Sequence, residues 1–157
     1  GSMKRLIKAG RIVEDSWLPL DADATNPDKQ QILTLDQWLQ LTDKAGRALM
    51  LEPGQAPAPL FEHLQVIPMV AINFPVLTDG RGFSYGRELR ERGFTGELRA
   101  SGHFIRDQMT YLARCGFDAF QLADESVLDE ALASLRDFSE HYQAAIDQPL
   151  PLFRRRG

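Results

Sequence analysis

The stretch TDGRGFSYGRELRERGF, residues 78–94, holds four arginines, four glycines and no lysine. Arginine presents a planar fork of donors that suits oxyanions, and glycine lets backbone amides come close to a ligand. Within the stretch, Asp79-Gly80-Arg81-Gly82-Phe83-Ser84 reads as a tight turn feeding a helix. Ser84 is placed to cap that helix and to present its first amides, an arrangement that favours anions. The bias runs further along the chain. Residues 79–114 carry seven arginines against five acids, the remainder carries eleven bases against seventeen acids, and all four lysines precede residue 45. Arg87–Glu91 and Glu88–Arg92 read as solvated pairs one helical turn apart. Helix pairing does not explain Arg81 and Arg99, so both are assigned to binding an anion.

Other groups extend the candidate set. Asp107 opens a later helix, where it complements the helix dipole or transfers a proton. Gln108 shares a face with Phe104, Ile105, Met109, Leu112 and Cys115, so it is a polar group on an apolar stripe and needs partners. Cys115, the chain's single cysteine, reads as core on that same stripe. GRGFSYG fits a loose G-x-G-x-x-x-G dinucleotide fingerprint, with Arg99 near the place of a 2′-phosphate partner. However, Val76-Leu77-Thr78-Asp79 separate the preceding strand from the first glycine, where that motif demands a tight turn. Glu52, Asp79 and Asp124 carry oxygens that suit magnesium, but no spacing groups them. His63, His103 and His141 are too far apart to suggest a zinc site. The sequence assigns no cofactor and no metal.

These residues need elements to place them. Residues 4–18 read as an N-terminal β-hairpin around Ala9-Gly10. A breaker-rich loop follows over 19–30. Thr34 and Gln37 form a capping box ahead of a helix containing Trp38. Strands and helices then alternate: strands over 47–52, 68–74, 96–101 and 117–122, with helices between them at about 83–92 and 104–115. A last helix, capped by Ser126 and Asp129, presents Val127, Leu128, Ala131, Leu132, Leu135, Phe138 and Tyr142. The expected fold is α/β, with about four βα units forming a mainly parallel sheet, either half-barrel-like or small and open. Residues 4–148 form one domain, and 149–157 an extended basic tail. The strand 96–101 alternates, with Leu98 and Ala100 on one face and Glu97, Arg99 and Ser101 on the other. That pattern belongs to an edge strand or to one that points polar groups into a cavity. Helices mostly on one side would leave apolar sheet exposed, to be covered by the hairpin or by a homodimer.

In parallel α/β folds, ligands bind beyond the carboxyl ends of the strands. The expected binding set is Arg81, Gly82, Ser84, Arg99, Ser101, Gly102, Gln108 and Asp124, with Asp79 and Asp107 as the catalytic candidates. Composition bounds the partners. The chain has 157 residues, is 43% apolar and 25% charged, and has a formal net charge of −4. These values predict a globular protein with no general affinity for nucleic acid. No apolar run is long enough for a membrane span. A lone cysteine suits the reducing cytoplasm and cannot ligate an iron–sulfur cluster.

Residues 79–122, DGRGFSYGRELRERGFTGELRASGHFIRDQMTYLARCGFDAFQL, carry four strings that together resemble a bacterial family of unassigned activity, domain of unknown function 934. The strings are the D-G-R-G-F-S turn, G-E-L-R-A-x-G, the D-Q-x-x-x-L-x-R helix and the closing G-F-D-x-F. The hairpin and the Trp38 helix are similar too, so the likeness spans most of the chain. Asp79, Arg81, Gly82, Ser84, Arg99, Gly102, Asp107 and Gln108 sit on motif positions, whereas His103 falls where the motif fixes no residue. Members are typically encoded beside the sulfite reductase hemoprotein and labelled as oxidoreductases of sulfite reduction. The resemblance therefore implies either of two roles. One is an accessory protein of assimilatory sulfite reduction that binds a small oxyanion, a phosphorylated ligand or the reductase. The other is an enzyme acting on a sulfur-assimilation intermediate, with a flavin or nicotinamide protein as a weaker variant.

Overall fold

A computed structural model describes residues 4–75, 81–104 and 106–135. Asp79, Gly80, Phe138, Tyr142 and the 149–157 tail lie outside these residues. The described chain is a mixed α/β structure built on one seven-stranded sheet in the order β2-β1-β7-β6-β5-β4-β3. The strands are β1 (Arg5–Lys8), β2 (Arg11–Glu14), β3 (Leu33–Thr34), β4 (Leu49–Leu51), β5 (Met69–Phe74), β6 (Glu97–Gly102) and β7 (Ala119–Leu122). From β3 to β7 every neighbouring pair is parallel. The hairpin adds two antiparallel strands, with β1 pairing β7.

Local chemistry accounts for the elements. The hairpin turns at Ala9 (φ 52°) and Gly10 (φ 81°), two consecutive left-handed residues that match the twist of the flanking strands. The capping box at Thr34 is complete: Gln37 N donates to Thr34 Oγ1 at 3.0 Å, and Thr34 N donates to Gln37 Oε1 at 2.9 Å. It opens α1 (Leu35–Leu39), which buries Trp38. The connection after β4 holds a short 3-10 segment, Ala58–His63, with proline at its start. β3 was not expected. It is two residues long, too short for its alternation to register.

Because β3 to β7 are laid down side by side in chain order, each right-handed crossover brings its connection back on the same face. That face carries α2 (Arg81–Glu91) and α3 (Arg106–Arg114), followed by helical backbone over 128–135. The main core lies there, where Val70, Ile72, Phe74, Leu98, Ala100, Phe120 and Leu122 of the strands meet Leu89, Met109, Leu112 and Cys115 of the helices. α2 approaches closely because Gly82 and Gly86 lie one turn apart on its inner side. A Cβ at Gly82 would stand 2.3 Å from the Phe74 ring, and one at Gly86 would stand 2.4 Å from the Phe117 ring. One turn further, Arg90 donates to the carbonyls of Gly116 (2.8 Å), Phe94 (2.9 Å) and Gly96 (2.8 Å), tying the α2–β6 and α3–β7 connections together at the amino ends of the strands.

The opposite face has no helix among the described residues. A smaller cluster of Ile32, Ala48, Met69 and Ala71 lies on it, with Trp17, Leu20 and Met50 packed alongside. The cover therefore comes from the segment after the hairpin. The hairpin itself extends the sheet edge, because its antiparallel pairing with β7 satisfies backbone groups that a covering position would leave open.

Gly102 has φ +145°, and a Cβ there would lie 2.4 Å from the Phe74 carbonyl oxygen. Backbone cannot yield as a flexible side chain can. Gly102→Ala is therefore expected to cost about 1–3 kcal/mol or more in urea denaturation. Gly46→Ala, also at positive φ (+74°) but with open space around it, is expected to cost less.

Candidate functional site

β5, β6 and β7 end level with one another. Asn73 is in register with Ser101, and Ser101 with Gln121; one residue later Phe74 aligns with Gly102, and Gly102 with Leu122. α2 and α3 begin within a few residues of these ends, at Arg81 and Arg106. The carboxyl rim thus gathers Ser101, Gly102, the starts of both helices and Asp124, as the sequence reading placed them. A shallow groove lined by Glu52, Pro53, Asn73, Phe74, Gly82 and Tyr85 opens at this rim and encloses about 10 Å³, room for a single water.

Several candidates stand differently from the expectation. α2 starts two residues earlier than expected, so Ser84 is its fourth residue, exposed on the helix surface, and does not cap it. Gly82 also lies inside the helix, where its missing side chain admits the Phe74 ring. The glycines of the loose dinucleotide fingerprint that are described, Gly82 and Gly86, thus serve helix–sheet packing. Asp107 is exposed in the first turn of α3, and its carbonyl accepts from Thr110 Oγ1 at 2.8 Å. Gln108 is half-buried on α3, beside Met109. Cys115 is buried as expected and accepts from Arg87 Nη2 at 3.7 Å.

Asp124 caps the 3-10 turn Glu125–Val127. It accepts from Ser126 N at 2.9 Å and from Ser126 Oγ at 2.7 Å, so this cap replaces the expected Ser126–Asp129 box. Those bonds hold the Asp124 carboxyl below the usual carboxylate range, and His103 across the rim pulls it the same way.

Arg99 is the main correction. β6 is the central strand of the seven, so its polar alternation does not mark an edge. Arg99 is 1% exposed and turned to the helix-free face. Its Nε donates to Glu97 Oε2 at 2.8 Å, Nη1 to Asp15 Oδ2 at 3.0 Å and to Gln121 Oε1 at 2.9 Å, and Nη2 to Asp15 Oδ1 at 3.2 Å. Lys8 completes the group, with Nζ 3.0 Å from Glu97 Oε1. Two cations and two carboxylates therefore neutralise one another beneath the rim. Arg99 holds down the segment that covers this face and is not positioned to meet a ligand at the rim. Two residues outside the expected binding set complete the arrangement: Asp15 and Gln121. The polar face of β6 was a signal that partners existed, but nothing marks Asp15, 84 positions away, as one of them.

Removing the guanidinium would leave two buried carboxylates with a single lysine between them. Arg99→Met is expected to lower stability by about 3–5 kcal/mol, whereas Gln121→Ala, which removes one half-buried acceptor, is expected to lower it by about 1 kcal/mol. Urea denaturation midpoints of the two variants check that order. Equal small losses would show that Arg99 is not the anchor.

Among the described residues no three histidine, cysteine, aspartate or glutamate side chains are grouped to hold a metal ion, and no helix is long and apolar enough to cross a membrane. Comparison with curated proteins finds no match, and comparison with solved structures finds none either. Comparison with protein families does: residues 48–153, from just before β4 onward, match a family described as bacterial protein of unknown function, DUF934. The match covers more than half of the chain and every parallel strand from β4 to β7, and the chain belongs to that family.

Proposed function

We propose that this chain is a cytoplasmic accessory protein of assimilatory sulfite reduction that works by binding, with a small oxyanion such as sulfite or sulfate, or a phosphorylated group, taken up at the carboxyl rim. The sulfur context comes from the resemblance of the 79–122 strings to proteins encoded beside the sulfite reductase hemoprotein, which is the partner this reading implies. The observation that carries the binding site is the pair of helix starts. α2 and α3 follow strands that end side by side, so the amino ends of two helices lie at neighbouring points of the rim, with Arg81 and Arg106 as the first helical residues. Helix amino ends favour anions through their amides and dipole together. The sequence reading placed Arg99 in this role. With Arg99 committed to Asp15 and Glu97, the charge falls to Arg81 and its counterpart Arg106.

Sulfite, sulfate and phosphate are expected to raise the melting temperature in a saturable way, whereas NADPH is expected to have no effect, because Gly82 and Gly86 of the loose fingerprint are taken up by packing against Phe74 and Phe117. Arg81→Ala and Arg106→Ala are each expected to weaken the anion effect several-fold with little change in unliganded stability. Retention of the full anion shift in both variants would reject the site. Co-purification with the reductase hemoprotein is the expected result for the partner, and a flavin absorbance in the purified protein would argue instead for a redox role.

A further inference from the structure

On the helix-free side of the rim, four half-buried polar residues stand in a row across four adjacent parallel strands or their immediate ends: Glu52, Asn73, Ser101 and Gln121. Two hydrogen bonds fix which atoms this row turns outward. A guanidinium only donates, so the bond from Arg99 Nη1 forces the carbonyl oxygen of Gln121 inward and its Nε2 amide group away from Arg99. A carboxylate only accepts, so the 2.8 Å bond to Glu52 Oε1 forces Asn73 to spend Nδ2 there and to turn Oδ1 away from Glu52. Among the described residues, Gln121 Nε2, Ser101 Oγ, Asn73 Oδ1 and Glu52 Oε2 make no further hydrogen bond. The row is therefore polarised. Glu52 and Asn73 present acceptors and one negative charge; Gln121 presents a donor and Ser101 a hydroxyl that can turn its proton outward. The two halves meet between Asn73 and Ser101, one interstrand step of about 4.8 Å apart. The Arg99 group below is internally neutral and adds no net charge.

We infer that this row is a second binding site, separate from the helix starts, and that it takes a small zwitterion. The ligand's ammonium lies against Glu52 and Asn73, and its carboxylate against Ser101 and Gln121. A lone cation would leave the donor half unused, and a lone anion would face the Glu52 carboxylate.

The test uses a ladder of zwitterions of increasing length, namely glycine, β-alanine and γ-aminobutyrate, with methylammonium and acetate as single-charge probes, each titrated by calorimetry into the full chain. One member of the ladder is expected to bind saturably and at least ten-fold more tightly than either single-charge probe. Glu52→Gln and Gln121→Glu each keep the inward acceptor that Asn73 or Arg99 requires, so both are expected to fold. Each reverses the polarity of the outward atom, so each is expected to weaken binding at least ten-fold, and Ser101→Ala several-fold. No saturable binding of any zwitterion, single-charge probes binding as tightly, or unchanged affinity in Glu52→Gln and Gln121→Glu would each overturn the assignment. The anion reading is tested independently by Arg81→Ala and Arg106→Ala, so either site can fail without the other.

Discussion

The sheet depends on the ion group around Arg99. A guanidinium at the centre of a seven-stranded sheet, 1% exposed, is tolerable only if every element that could neutralise it is in place. Glu97 is supplied by the same strand, Gln121 by β7, Lys8 by β1 and Asp15 by the turn out of β2. The charge thereby specifies more than a contact. It fixes how the hairpin meets β6 and β7, and so where the following segment begins its course over Ile32, Met69 and Ala71. An apolar face would accept many coverings, whereas a buried cation flanked by two carboxylates accepts few. Specificity of this kind commonly costs stability relative to an apolar replacement.

The same group links the buried interior to the rim. Gln121 is held by Arg99, and Asn73 by Glu52, so two amides that could otherwise rotate present defined atoms to solvent. The two faces of the sheet share labour differently. The helix side uses glycine to bring α2 onto aromatic rings and stacks Phe83, Phe104 and Phe117 around Phe74. The helix-free side combines a minor apolar cluster with hydrogen-bonded polar groups. Packing fixes the distance between layers on one side, and hydrogen-bond polarity fixes orientation on the other.

The elements that the sequence made legible are those governed by local chemistry. The hairpin at Ala9-Gly10 and the box at Thr34 and Gln37 are read from adjacent residues, and the strand–helix alternation from β4 to β7 is read from periodicity over ten or so residues. The rim followed from chain order, which puts every carboxyl end of a parallel sheet on one side. Arg99 was legible as polar on one face of its strand, but not as paired, because its partner Asp15 is distant in sequence and lies just past the end of β2. Ser84 and Gly82 were misplaced by two residues of helix start. That shift turned an expected cap into an exposed side chain and an expected ligand contact into a packing contact. The Asp124 cap lies two residues ahead of the expected one for a similar reason, because a short 3-10 turn precedes the last helix.

The pairing of β1 with β7 carries a consequence for synthesis. Lys8 pairs with Ala119, and Asp15 closes on Arg99 from 84 positions away, so the hairpin, synthesised before the parallel strands, has no place in the sheet until β7 has emerged. The hairpin can turn within microseconds but is marginal alone, and β2 offers an open edge in the meantime. The parallel strands between them can assemble in order as they appear. The closure of Asp15 on Arg99 is thus a long-range contact, of the kind that slows folding.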